Sequence, residues 1–305
     1  METIPSKTLR FIQEFSKNEK HIAFETIKYR QNTNFLNDEI GKKYLLYFLK
    51  DMDSELYLIL LNMLNNDRVR FKDNMKVEES VCGTIINPGN SSVEATRINV
   101  PHLTNGITMM ASAHELGHGL RYDKRTGNTR MTVNTDIYSE TISILLGKLF
   151  EQRYQADFGY DDQVQAFEIL NVNNAIHCNN SLSDTAMNYT KALLEYKRLD
   201  QLKTKKQQDM WRATENVRKI YTNLYDMISY PVGIALLNYY QSMSKDEQAE
   251  YLRLVIRYVI SNTNIGIEDI VSHFNPKTDI DFYKRNFNEY VEETGKKLQL
   301  VRGKQ

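Results

Sequence analysis

A chain of 305 residues can bury a large core, and its formal charge of zero, from 39 basic and 39 acidic residues, removes the electrostatic case for nucleic acid or an anionic membrane as principal partner. Two cysteines, Cys82 and Cys178, lie too far apart and are too few for a disulfide-stapled secreted scaffold or a thiolate zinc site, so a reducing, cytoplasmic setting is expected. Residues Met1 to Phe15 contain no secretory apolar run, and no other stretch approaches membrane-spanning length.

With 13 Gly and 5 Pro, and apolar residues recurring at three- and four-residue spacing, most of the chain reads as helix. Ala23, Phe24 and Ile27 suggest an early helix. Leu45, Phe48, Leu49, Leu56, Ile59, Leu60 and Leu64 continue the pattern, with an interruption near Asp51 to Asp53 and a stop at Asn65-Asn66-Asp67. Residues 1–66 are therefore expected to form an N-terminal helical segment, and residues 67–305 one globular region around a cleft.

Beyond Arg68 the character changes. β-Branched residues cluster at Val81 to Ile86 and Val93 to Val100, separated by the turn-forming Asn87-Pro88-Gly89-Asn90, which predicts a small antiparallel hairpin or sheet. A helix starting near Thr104 or Asn105 follows, then a polar connection, Asp123 to Thr132, and a second helix from about Asn134 to Tyr154 with Ile137, Ile144, Leu145 and Phe150 on its buried stripe. The segments 163–176, 184–196, 207–227, 231–243, 246–261 and 281–300 all favour helix, with Pro231 as a kink or a fresh start. The lysine runs 203–206 and 296–304 read as solvated helix faces.

The chemistry lies in His114-Glu115-Leu116-Gly117-His118. On a helix, residues four apart share a face, so His114 and His118 can offer nitrogens to one tetrahedral ion, with Glu115 placed beside the remaining, water-filled position as a general base. A catalytic zinc needs a third protein ligand. Extension of the motif to a third histidine would require Gly and His where Arg121 and Lys124 stand, which excludes that class. A glutamate on the following helix is the remaining solution: Glu140 is well placed, and Glu151 is the alternative. Ser139 and Thr141 are small enough to let the two helices approach closely, and Asp136 is a candidate acceptor for a ligand histidine. One Zn2+ per chain is thus expected, on His114, His118 and a third donor, Glu140 or its weaker rival Glu151.

Ala113 to Gly119, followed by Tyr138-Ser139-Glu140-Thr141-Ile142-Ser143, resembles the zinc-binding helix pair of the oligoendopeptidase F and thimet oligopeptidase family. Tyr230-Pro231-Val232-Gly233-Ile234-Ala235 looks like that family's Tyr-x-x-Gly-apolar-Ala segment, and Phe282-Tyr283-Lys284 onward like its C-terminal helix. The resemblance implies a mainly α, gluzincin-type metallopeptidase fold with the small antiparallel sheet beside the active-site helix, and a deep channel for short peptides. It further implies zinc held by His114, His118 and Glu140, water activation by Glu115 and an oxyanion donor among the tyrosines, Tyr230 first, then Tyr225 and Tyr221. Phenol donors suit that role, because charge developing on a carbonyl oxygen needs hydrogen bonds besides the ion.

Two departures stand out. Ile220 occupies the position, about ten residues before Tyr230, where the family usually carries a histidine, and family members are commonly much longer. They leave open an alternative: a metallopeptidase-like binding protein that keeps zinc but has weak or no activity. The intact Glu115 argues against it, since a structural zinc site needs no base. His177 beside Cys178 reads as structural rather than as a second metal site, and His102 and His273 as loop histidines, His102 near enough to the sheet to touch substrate. The strand from Val93 to Val100 offers either an exposed edge at which an extended peptide would pair or an edge covered by a loop.

Overall fold

The computed structural model describes residues 6–16, 36–86, 93–123, 134–154, 157, 161–202, 207–261 and 280–302. Helix dominates, as the scarcity of Gly and Pro predicts: α1 (Ser6–Ser16), α2 (Asp38–Met52), α3 (Ser54–Asn65), α4 (Gly106–Asp123), α5 (Asn134–Tyr154), α6 (Asp161–Asp200), α7 (Gln207–Ser242), α8 (Lys245–Ser261) and α9 (Ile280–Arg302). Three strands, β1 (Val69–Lys72), β2 (Val81–Ile86) and β3 (Val93–Pro101), lie between α3 and α4.

Short polar side chains set the helix boundaries. Asn37 caps α2 by accepting from the Ile40 N–H at 3.0 Å. Asp53 serves two helices: its N–H closes α2 on the Leu49 carbonyl, and its carboxylate accepts from the Glu55 and Leu56 amides that open α3. The interruption expected near Asp51 to Asp53 is this shared cap. The stop at Asn65-Asn66-Asp67 is equally direct, for Asp67 takes φ 53°, a left-handed conformation that aspartate tolerates, and the Arg68 N–H turns back to the Met63 carbonyl at 2.8 Å.

The sheet corrects one expectation. β2 and β3 pair antiparallel, as the turn chemistry between them predicts, but β1 joins the other side of β3 in parallel, so the sheet is mixed, in the order β1-β3-β2. β3 is therefore the central strand, and of the edge expected along Val93 to Val100 the part from Ile98 onward is covered by β1. A four-residue strand without alternation carried too little pattern to be seen in advance. Ile98 and Val100 of β3 are buried on the α4 side of the sheet.

α4 is the central helix. Met109, Met110, Ala113, Leu116 and Leu120 are buried around it, and α5, α6 and the sheet pack on it. Such a helix cannot show one apolar stripe, because every face is inside. α5 packs in turn on α7, and the long antiparallel pair α6 and α7 forms the other wall of the molecule. α1 closes the bundle, with Phe11 edge-on to Tyr283 and Phe15 against Phe287.

Two further differences concern long helices. The segments expected at 163–176 and 184–196 are parts of one helix, α6, because the polar stretch between them is as compatible with a solvated helix face as with a loop. α7 likewise runs through Pro231 without ending. A mid-helix proline costs about 3 kcal/mol through its missing N–H and ring clash, and here burial of Ile228, Val232, Ile234 and Ala235 around it offsets that cost. The early helix expected around Ala23 to Ile27 lies outside the described residues, as do the turn 87–90 and the connection 124–132.

Candidate metal centre

α4 begins with reciprocal capping. The Asn105 side chain accepts from the Thr108 N–H at 3.1 Å, while the Thr108 hydroxyl oxygen accepts from the Thr104 and Asn105 amides at 3.1 and 3.2 Å. The helix start expected at Thr104 or Asn105 is this cap. Two turns onward, His114 and His118 stand on one face with ring centroids 5.1 Å apart, and Glu115 is buried beside them. Donor atoms of His114, Glu115 and His118 all lie within 4.8 Å of one another.

α5 brings Glu140 into the same space. One of its carboxylate oxygens lies 3.3 Å from His114 Nε2 and the other 3.3 Å from His118 Nε2. All three side chains are at least four-fifths buried. Burial alone would raise the Glu140 carboxyl pKa, but the two imidazoles outweigh it and hold Glu140 well below the usual carboxylate range.

The close approach of α4 and α5 depends on Gly117. A Cβ there would meet Ser143 Cα at 2.5 Å and Ser143 N at 2.8 Å, so a side chain would strike backbone. Gly119 plays the same part on the opposite side of α4, where a Cβ would stand 2.6 Å from Ile98 of β3 and 3.0 Å from Met63 of α3. The small residues that permit contact are thus inside the histidine motif, at Gly117, and directly after it, at Gly119. Ser139 and Thr141 were the expected ones, and their side chains, like that of Asp136, lie outside the described residues.

The fourth contributor comes from α7. The Tyr230 hydroxyl is desolvated, donates to the Glu140 carboxylate and lies in the field of Glu115; burial first, then these two carboxylates, push its pKa well above the phenol value. Tyr221, also on α7, is buried against Tyr189 of α6, their ring centroids 6.2 Å apart, an aromatic packing contact of the helix pair. The Tyr225 side chain lies outside the described residues.

Glu151, the alternative third donor, is buried three turns further along α5 and is bound to Lys148 Nζ. Eleven residues on a helix span roughly 16 Å, which separates it from the histidines. His114 and His118 meet different oxygens of Glu140, each at 3.3 Å, a separation of the size expected between donor atoms that share one zinc at bond lengths of ~2.0–2.1 Å, so these three side chains could hold one ion. Glu115 lies in the same cluster, its carboxylate among the donor atoms within 4.8 Å of one another.

Other singled-out residues fall elsewhere. His102 bridges Asp38 at the start of α2, Nδ1 to Oδ2 2.6 Å, and Asp73 after β1, Nε2 to Oδ1 3.0 Å, a structural tie remote from the histidine pair in its bonding. His177 is exposed and Cys178 partly buried, and among the described residues they belong to no metal-competent cluster. Sequence reasoning missed that Cys178, on α6, faces the Tyr230 environment; its adjacency to His177 pointed the wrong way. His273 lies outside the described residues.

No protein-family model matches this chain, and no curated protein does. The fold, by contrast, has relatives among solved structures. A protein from Bacillus anthracis str. Ames that bears the name oligoendopeptidase F superposes with a TM-score of 0.56 over 98% of this chain at 12% identity. PZ peptidase A, in complex with an inhibitor, superposes with a TM-score of 0.49 over 97% of this chain at 10% identity. The chain thus has the mainly helical fold of the first of these, and spans 57% of its length.

Proposed function

We propose that this chain is a zinc-dependent peptidase acting on short peptides, with His114, His118 and Glu140 holding the ion, Glu115 as the catalytic acid–base and Tyr230 as an oxyanion donor. The observation that carries the reading is the pair of 3.3 Å contacts through which one buried carboxylate meets both imidazoles of an i, i+4 pair, with a second buried carboxylate beside them. The shared fold with a protein named oligoendopeptidase F supports it.

Held by these side chains, a zinc ion would supply Lewis-acid polarisation to a water molecule and to the scissile carbonyl. The protein does the rest. Glu115 takes a proton from the water onto a carboxylate oxygen as the water oxygen bonds to the carbonyl carbon, and then passes that proton to the leaving nitrogen as the C–N bond breaks. Tyr230 offers its O–H to the carbonyl oxygen as charge accumulates there; its raised pKa keeps the donor proton in place. The low pKa of Glu140 keeps it ionised, as a ligand must be.

The test is incubation of the purified chain with a mixture of short peptides, with and without chelator, beside Glu115→Gln. Zinc-dependent cleavage that the variant loses is expected. A zinc-loaded wild type that cleaves nothing, or a variant that cleaves equally well, would sink the enzymatic reading; the first result, with zinc retained, would favour a binding role.

A further inference from the structure

A second cavity, of about 810 Å3, opens between β1 and the α2–α3 pair, and none of its lining residues belongs to the metal centre. Its character follows from the parity of β1. The Ile98 N–H donates to the Arg68 carbonyl, and β1 and β3 run parallel with Val69 opposite Ile98 and Phe71 opposite Val100. In a parallel ladder alternate residues bond to the same neighbour, so Arg70 and Lys72 continue the bonding of Arg68 toward β3. The peptide groups of Val69 and Phe71 consequently point away from β3, along the outer edge of the sheet, and both residues line the cavity.

Side chains alternate with the same period. Val69 and Phe71 share the apolar face, and Leu46, Leu61 and Leu64 line the cavity with them. Arg70 and Lys72 face the other way. Across the cavity α2 presents Lys42 and Lys43. Lys42 is held by Glu39 at 3.0 Å and lies over the Phe71 ring, and Arg70 is held by Asp67 at 2.7 Å. Asp38 is committed to His102 and to the Leu103 amide. Lys43 and Lys72, both exposed, have no anionic partner among the described residues. The charge left uncompensated at this groove is therefore positive.

We propose that the groove binds an extended peptide segment of alternating acidic and apolar residues, added to the sheet as a further strand along β1. Main-chain groups of Val69 and Phe71 supply the pairing, as in other strand-addition complexes. Residues opposite Arg70 and Lys72 lie on their face of the sheet and are acidic; those opposite Val69 and Phe71 lie on the leucine side and are apolar.

The experiment measures anisotropy of fluorescein-labelled peptides on the full chain carrying Glu115→Gln, which prevents hydrolysis of the probe. The alternating peptide Glu-Val-Glu-Val-Glu-Val is expected to bind, more weakly as salt rises, and at least about tenfold more weakly to Lys72→Glu. The blocked isomer Glu-Glu-Glu-Val-Val-Val cannot place acids on one face and is expected to bind worse. Equal binding of the blocked isomer or of Lys-Val-Lys-Val-Lys-Val, an affinity unchanged in a Lys72→Glu variant of normal circular dichroism, or no binding tighter than about 1 mM would each overturn the proposal.

Discussion

The Tyr230 hydroxyl is hydrogen-bonded to the Glu140 carboxylate. A residue of α7 therefore contacts the same carboxylate that both histidines of α4 touch, and the candidate oxyanion donor is tied directly to the candidate metal donor set. Tyr230→Phe keeps the ring and removes only the hydroxyl group. Peptide cleavage is expected to fall about 100- to 1,000-fold in kcat, with little change in KM, the pattern of an interaction made in the transition state. A loss confined to KM would place Tyr230 in substrate binding instead.

Glu140 and Glu151 lie on one helix and should fail differently. Glu140→Ala is expected to weaken zinc binding by more than about 100-fold, beyond what loss of an outer-sphere contact does. Glu151→Ala should leave zinc bound at one per chain but cost roughly 3 kcal/mol of stability, because it removes one member of a nearly buried ion pair with Lys148. Metal analysis beside urea denaturation separates the two; zinc lost with Glu151 and kept without Glu140 would reverse the assignment.

Gly117→Ala puts a methyl group into the backbone of Ser143. The helices must part, at a cost of about 1–3 kcal/mol, and Glu140 moves with α5. A lower melting temperature is expected together with weaker zinc binding. A variant as stable as wild type would mean that α5 can shift without harm.

His102 gives the fold a pH dependence. Its hydrogen bond to Asp38, aided by Asp73, raises its pKa above the ordinary value of 6.5 although burial opposes the shift. A raised folded-state pKa stabilises the fold fully below 6.5, and that contribution is lost as pH rises through the folded-state value. The site is two-fifths exposed, so screening holds the contribution under about 1 kcal/mol. Urea midpoints should decline across this range in wild type and decline less in His102→Ala; identical slopes would count against the tie.

What could be read from the sequence, and what could not, divides along physical lines. The helix start at Asn105, the shared cap at Asp53 and the i, i+4 histidines are local: the relevant atoms lie within a turn of each other in the chain. Convergence of Glu140 on both imidazoles follows from one short connection, so its spacing was informative. β1 was invisible because four residues show no period, and its parallel pairing depends on α3 delivering it beside β3. Continuity of α7 through Pro231 depends on packing that no local rule encodes. Cys178 near Tyr230 is set by the register of α6 against α7, which sequence spacing cannot supply.

The Gly117 contact has a consequence for the order of assembly. His114, His118 and Glu140 all belong to the hairpin that Gly117 and Ser143 lock together, whereas Tyr230 must close a far longer loop to arrive. Loop closure costs more entropy as the loop lengthens, and non-local contacts form later. A refolding chain is therefore expected to capture zinc before it recovers cleavage, a lag that a metal-sensitive dye and a peptide assay, followed on one stopped-flow time base, would resolve. The ion would then act as a clasp on the earliest part of the site to form, around which the remaining helices gather.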